Sequence, residues 1–373
     1  MNATWIDRAL PGARGLSSRP LRSGLLLAVW VGLWALAIFR IDRILATPAS
    51  GAPDHWIALL ALVGSIVGLA RFAPSRPEGD PGAPLETSGQ WGLAWRTFRR
   101  HRTAMLGLWL VAGLALVALL TPYIAPFDPA LQGDDIVATR FQPPSFEHPM
   151  GTDRFGRDVF SRVLYGGRVS LGIGGLAVAI AVTLGSLVGA VSGYLRGWVD
   201  ALSMRTVDLL LSFPRLVLLI TIVALVQPSV LIITLVLGLT GWMGTSRLVR
   251  GEVLSLRERE FVQAAKALGF GAPRILLRHI LPNVASPIIV AATLGIGNTI
   301  LVEASLSFLG LGVPPPAPSW GLMVAAGKDV MLDAPWIALF PGLAIVVTVM
   351  SFNLVGDGLR DALDPRSTTG LAP

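Results

Sequence analysis

FVQAAKALGFGAPRILLRHILPN, residues 261–283, decides how this chain is read. It is a charged, amphipathic interruption in a sequence otherwise made of long apolar runs. Arg247, Arg250, Arg257, Arg259, Lys266, Arg274 and Arg278 crowd around it. The hydrocarbon core of a bilayer offers no water to such charges, so the stretch lies outside the lipid, and the bias of basic loops towards the cytoplasm places it there. A long basic loop between two spans is a docking surface.

Composition agrees. Of 373 residues, 53% are hydrophobic and only 14% charged, against about 25% charged in soluble domains. The mean hydropathy is +0.65. The apolar runs are long enough to cross about 30 Å of hydrocarbon as helices. The formal net charge of +7 follows from loops that flank spans and meet anionic lipid, rather than from nucleic-acid binding. With no cysteine, disulfides, thiol nucleophiles and cysteine metal sites are excluded.

Working outward, the pattern predicts an all-α polytopic membrane protein with eight spans. Two lie in an N-terminal extension, at 23–39 and 55–70, followed by the Pro- and Gly-rich linker RFAPSRPEGDPGAPLETSGQ. The extension occupies residues 1–90. Six core spans follow at 104–124, 169–194, 206–227, 229–248, 284–308 and 336–356. The first span has the basic leader of a signal peptide, yet it is long, carries Trp30 and Trp34, and lacks a clean small-x-small cleavage site. Arg96, Arg99, Arg100 and Arg102 before the first core span, Arg196 and Arg205, the long loop, and Arg360 and Arg366 in the tail all fall on one side if both termini are cytoplasmic.

Within the loop, residues 254–268 (LSLREREFVQAAKAL) read as one helix ended by Gly269 and Gly271, with Pro273 opening a second short helix and Pro282 preceding the next span. Ala264 and Ala265 offer little side chain, which lets another protein approach closely. An ordinary amphipathic helix lying on the membrane fits the same residues.

These residues carry a resemblance. QAAKALG, followed nine residues later by HILP, resembles the EAA loop of ABC importer permeases: Glu-Ala-Ala, three residues, Gly, nine residues, Ile, any residue, Leu-Pro. Gln263, Ala264, Ala265, Gly269, Leu281 and Pro282 stand at the matching spacing. Gln263 replaces the glutamate, and His279 stands where isoleucine is usual. HPMGTDRFGRDVFSRVLYGGRVSL (148–171), EASLSFLGLGVPPPAPSWG (303–321), APWIALFPGLAI (334–345) and FNLVGDGLRDALDPR (352–366) resemble the dipeptide, oligopeptide and nickel branch, and its C-type permease in particular. The resemblance covers roughly residues 91–366. It implies a six-helix ABC importer permease core at 91–373, with a coupling loop around 249–283. In this family, Gln263, Ala264, Ala265, Lys266, Gly269, His279 and Pro282 would contact a cytoplasmic ATPase. The implied partners are a homologous B-type permease, two ATPase subunits and a periplasmic or lipid-anchored solute-binding protein, in the bacterial inner membrane. Peptides are the implied solute, with nickel or glutathione as alternatives.

Other charges need weighing. In GTDRFGRD, Asp153, Arg154, Arg157 and Asp158 read as tight turns pinned by local ion pairs. A metal site is the weaker reading, because paired Asp and Arg neutralise each other. The resemblance places these four near the docking site of the binding protein. Glu303, inside an apolar run, is a candidate for the solute path or gate and equally for a hydrogen-bonded structural role. Asp208 and Arg215, seven residues apart on one predicted helix, are path candidates, and so is Asn298; Asn298 and Asn353 also suit bridges between helices. His55, His101, His148 and His279 form no HExxH or comparable cluster, and no Walker-type phosphate loop occurs. No cofactor is called for. A secondary transporter and an intramembrane enzyme remain the rival classes.

Overall fold

The computed structural model describes residues 90–132 and 135–364. The predicted spans at 23–39 and 55–70 lie outside them. Among the described residues, the regular structure is helical throughout: α1 (Gln90–Arg100), α2 (Arg102–Ile124), α3 (Ile136–Thr139), α4 (Val159–Leu195), α5 (Gly197–Leu211), α6 (Arg215–Ala224), α7 (Val230–Leu239), α8 (Trp242–Arg257), α9 (Glu260–Ala267), α10 (Ala272–Ile275), α11 (Leu281–Phe308), α12 (Trp320–Lys328) and α13 (Trp336–Leu363).

Among the described residues, five helical stretches are long and apolar enough to cross a membrane: Arg102–Ile124, Val159–Leu195, Val230–Arg257, Ala272–Phe308 and Trp336–Leu363. A sixth arises if α5 and α6 count as one broken span, bent by 83°. This multi-pass helical core matches the predicted class.

Several boundaries differ from the sequence reading, among them the span predicted at 229–248, which is interrupted at Thr240–Gly241 and runs on to Arg257; four others have local reasons. The run at 206–227 is not one helix. Pro214 has no N–H to continue the ladder, and the chain turns at Ser212–Pro214. Asp208 and Arg215 therefore do not share a helix face. The span predicted from 169 begins ten residues earlier, because Asp158 caps α4 by accepting from Ser161 N at 2.7 Å. The helix predicted over 254–268 is two helices. It breaks where Arg259 turns extended, at φ −71° and ψ 146°, and Gln263 Nε2 donates to the freed Arg257 carbonyl at 3.1 Å. Pro282 does not separate the loop from the next span. Residues Leu276–Ile280 form a π turn, with Leu281 N–H donating to the Leu276 carbonyl, and helix runs on through the proline into α11.

The tightest helix contact runs along α4. Ala177, Ala181, Gly185, Gly189 and Gly193 recur every four residues and are all buried. Gly238 and Gly241 meet the upper part of this stripe, and α8 meets the rest. A Cβ on Gly189 would stand 2.5 Å from the Ser246 carbonyl oxygen, and one on Gly193 3.0 Å from that of Arg250. Between apolar helices in lipid, association depends on such close packing, because burial from water contributes little.

This contact yields a paired test. Gly189→Val should destabilise by at least about 1–3 kcal/mol through overpacking. Gly175→Ala, on the same helix where an added Cβ meets nothing within 4 Å, should be neutral or slightly stabilising. Thermal unfolding of both variants in detergent checks the pair; equal behaviour would remove the stripe from the account.

Candidate functional site

The loop after α8 folds on a small core of its own. Val262, Ala265, Ile275, Ile280 and Val284 are buried with Ala190 of α4 and with Val249 and Val253 of α8. α9 thus has two faces. Val262 and Ala265 point inward, while Phe261, Ala264 and Leu268 are exposed. The exposed three follow at i, i+3 and i+7, one helical stripe. Gly269, at φ +76°, takes the left-handed turn that ends α9.

Arginines brace this arrangement. Arg257 Nη1 donates to the Tyr194 carbonyl at 2.6 Å, and both Arg257 and Lys266 lie 5.8 Å from the centre of the Tyr194 ring. Arg250 pairs with Asp200 of α5 through bonds of 2.5 and 2.7 Å. Arg247 pairs with Asp208. The two pairs fasten α5 to α8.

The departures from the EAA pattern find local accounts. Gln263 is exposed and donates to a backbone carbonyl, which a carboxylate cannot do. His279 stacks on Phe270, with ring centres 6.2 Å apart and 16° between planes, and Arg274 covers the Phe270 ring at 4.2 Å. A flat ring in the isoleucine position is thereby accommodated. Pro282 is exposed on the outer side of the helix.

Ala265 needs correction as a partner contact. It is only 4% exposed and belongs to the loop's own core. Ala264 is the small residue that faces outward.

The segment GTDRFGRD folds into the pinned turn expected. Asp153 Oδ1 accepts from Phe155 N at 2.8 Å and Arg157 N at 3.0 Å, and Oδ2 from Arg157 Nε at 2.7 Å. Arg162 reaches the same carboxylate at 3.6 Å. Asp158 meets His148 Nδ1 at 3.0 Å besides capping α4. Gly151 and Gly156 have φ of +72° and +70°, a region that glycine enters without strain. Among the described residues no group of acidic or histidine side chains is arranged to hold a metal. Asp153 and Asp158 are buried and so do not themselves form an outer contact surface; Arg154 is the exposed member.

Glu303 is 1% exposed. Its Oε1 accepts from Ser307 Oγ at 2.8 Å and Ser319 Oγ at 3.0 Å, and Oε2 from Ser170 Oγ at 3.5 Å. Ser319 also caps α12 by accepting from Leu322 N, and Ser170 accepts from Trp320 N. One carboxylate therefore ties α12 to α11 and α4. This is the hydrogen-bonded structural role, and a residue enclosed in its own chain's packing does not line an open path. Asn298 and Asn353 are both exposed rather than buried as bridges. Arg215 lies at the α5–α6 break, with Nη2 3.5 Å from the Leu237 carbonyl at the end of α7.

The small-residue stripe of α4 was missed in the sequence, although its four-residue period was there to count. Of the serines around Glu303, Ser307 stands one helical turn away and Ser319 sixteen residues on, whereas Ser170, 133 residues away, carried no local signal.

The comparisons settle the class. The family described as the binding-protein-dependent transport system inner membrane component matches residues 181–369. The N-terminal TM domain of oligopeptide transport permease C matches residues 89–144. The chain belongs to the ABC importer permeases, as a C-type member. It is 43% identical over 276 residues to the dipeptide transport system permease protein DppC of Alkalihalophilus pseudofirmus, covering 74% of this chain and 90% of that protein. It is also 43% identical over 283 residues to the glutathione transport system permease protein GsiD of Escherichia coli, covering 76% and 93%. Membership sets aside the secondary transporter and the intramembrane enzyme.

The Glu303 network gives a graded expectation. Glu303→Gln keeps an acceptor for two serines and should cost about 1–3 kcal/mol. Glu303→Ala should cost more, because it leaves the hydroxyls without their shared partner. Amide exchange across α12 in detergent should rise in the same order; unchanged exchange in Glu303→Ala would contradict the hub.

Proposed function

We propose that this permease forms one half of the translocation pathway for short peptides in a bacterial inner membrane, with both termini cytoplasmic. The other half would be a homologous B-type permease. ATP would be hydrolysed by two separate cytoplasmic ATPase subunits, and a periplasmic or lipid-anchored binding protein would deliver solute. Family membership supports ATPase and binding-protein partners in general. The names of relatives that carry dipeptides and glutathione support a peptide-like solute.

The observation that carries the coupling role is the two-faced α9. Its exposed stripe of Phe261, Ala264 and Leu268 is rigidly backed by Val262 and Ala265, which pack on α8 and α11. An ATPase gripping that stripe would move the spans directly. In this reading Gln263, Lys266 and Gly269 flank the contact, while His279 and Pro282 shape the loop behind it. Asn298 is the retained candidate on the solute path. Around the outer turn, Arg154 is the candidate contact for the binding protein.

The N-terminal extension, residues 1–90, is proposed to form a peripheral hairpin outside the solute path. The match to the permease C N-terminal domain begins at residue 89, which supports that boundary. Deleting residues 2–88 should leave at least partial uptake.

The decisive test is ATP-dependent uptake of labelled dipeptide and glutathione by the reconstituted complex. Ala264→Arg should lower uptake more than tenfold (about 1.4 kcal/mol or more) and release the ATPases on purification, with membrane insertion intact. Gln263→Glu gives up the exposed bond to the Arg257 carbonyl but should be tolerated, because its carboxylate stays in water and can meet a basic partner. Full uptake by Ala264→Arg with ATPases still bound would refute the docking role.

A further inference from the structure

α1 is amphipathic and differs from every spanning helix described. Ala94 and Phe98, one turn apart, are buried. Phe98 packs with Ala104 of α2 and Val355 of α13, and an added Cβ on Gly358 would lie 3.2 Å from its ring. The rest of α1 is open: Leu93 and Trp95 are about half exposed, and Arg96, Arg99 and Arg100 point outward. Trp95 stacks on Phe98 at 5.8 Å and 11°, and the Arg99 guanidinium lies 5.9 Å from the Trp95 ring.

Position fixes what this face meets. α2 is an apolar span of 23 residues, about 35 Å at 1.5 Å per residue, so its first residue stands at the edge of the hydrocarbon. α1 ends at Arg100 and α2 starts at Arg102, with His101 in extended conformation between them. α1 therefore sits at the boundary between lipid and water. There, a half-exposed tryptophan occupies the depth that aromatic rings favour, and arginines reach the headgroups. Among the described residues, no carboxylate lies within ion-pair distance of Arg96, Arg99, Arg100 or Arg102. The exposed face of α2 makes the contrast: Leu106, Trp109, Leu116, Leu119 and Leu120 are apolar and uncharged, as contact with acyl chains requires.

We infer that α1 is an interfacial helix whose Arg96, Arg99 and Arg100, together with Arg102 at the start of α2, bind the headgroups of anionic phospholipids, with Trp95 anchored at the same depth. Because Phe98 joins α1 to the end of α13, headgroup binding there braces the first and last core spans against each other. The inference rests on the membrane-spanning class alone and not on ATPase coupling or on the solute.

Trp95 supplies the probe. The assembled transporter is placed in nanodiscs of mixed phosphatidylcholine and phosphatidylglycerol, with bromine on the acyl chains of one lipid or the other. The difference between the native protein and Trp95→Phe isolates this residue from the other tryptophans. Brominated phosphatidylglycerol should quench the Trp95 signal at least about twofold more than brominated phosphatidylcholine at equal content, since each arginine near an anionic surface contributes about fivefold. The excess should shrink as salt rises. It should vanish in R96Q/R99Q/R100Q/R102Q and persist in R96K/R99K/R100K/R102K, with circular dichroism confirming that both variants stay folded. Equal quenching by the two lipids would mean that the helix has no preference for charge. Absence of quenching by either would mean that protein covers Trp95. Each result would overturn the inference, and neither would touch the transport reading, because no step of the measurement requires uptake.

Discussion

The near-contact of α4 and α8 is the constraint on which the rest depends. In a bilayer, two apolar helices gain little by leaving lipid for each other, so they stay together only where their backbones approach closely. Five small residues at a period of four give α4 a flat groove, and the carbonyl oxygens of Ser246 and Arg250 sit in it. α8 then emerges from the membrane at a fixed register. Its last turn delivers Arg257 to the Tyr194 carbonyl, and the core of Val249, Val253, Val262, Ala265, Ile275 and Ile280 forms where α8 leaves off. The loop does not hang between two spans. It continues their packing outside the lipid.

Two further devices brace the core away from the loop. The Asp153 turn and its arginines hold the entry of α4, and the Glu303 carboxylate gathers three serines at the base of α12. Both bury an ionisable group, which is costly unless the charge is met by several donors. Asp153 has two backbone N–H groups and two arginines; Glu303 has three hydroxyls. For Glu303, this enclosure among hydroxyls is what separates it from an open solute path.

The class and most of the core spans were legible because hydropathy and charge are local quantities. Runs of apolar residues must cross the bilayer, and Arg247 to Arg278 must avoid it. Local signals failed where geometry depends on neighbours. Nothing in the period of residues 254–268 announces that the chain turns at Arg259, because the break is stabilised by Gln263 reaching back to a carbonyl and by Arg257 reaching α4. The same blindness placed Ala264 and Ala265 together, although adjacent helical residues lie about 100° apart, so one faces the loop core and the other faces out. The Pro214 break was visible in principle. It was overruled by a long apolar run on either side, and that let Asp208 and Arg215 share a face they do not share.

That last separation bears on how the core can move. α5 is fastened to α8 by Asp200–Arg250 and Asp208–Arg247, whereas beyond the 83° bend α6 meets the end of α7, where Arg215 approaches the Leu237 carbonyl at only 3.5 Å. Charge-assisted pairs of 2.5–2.7 Å are stronger than a single long contact to a carbonyl. The α7–α8 junction at Thr240 and Gly241 lies beside the same arginine. Two helix breaks thus adjoin at one point, with firm attachment on the loop side and a loose one on the other. If a partner docks on α9 as proposed, the loop core on α8, the α4–α8 contact and the Asp200–Arg250 pair link its footing to these breaks. At the first break the ladder is already interrupted by Pro214, whereas at the second the Thr240 N–H still donates to the Val236 carbonyl and the Gly241 N–H to that of Gly238.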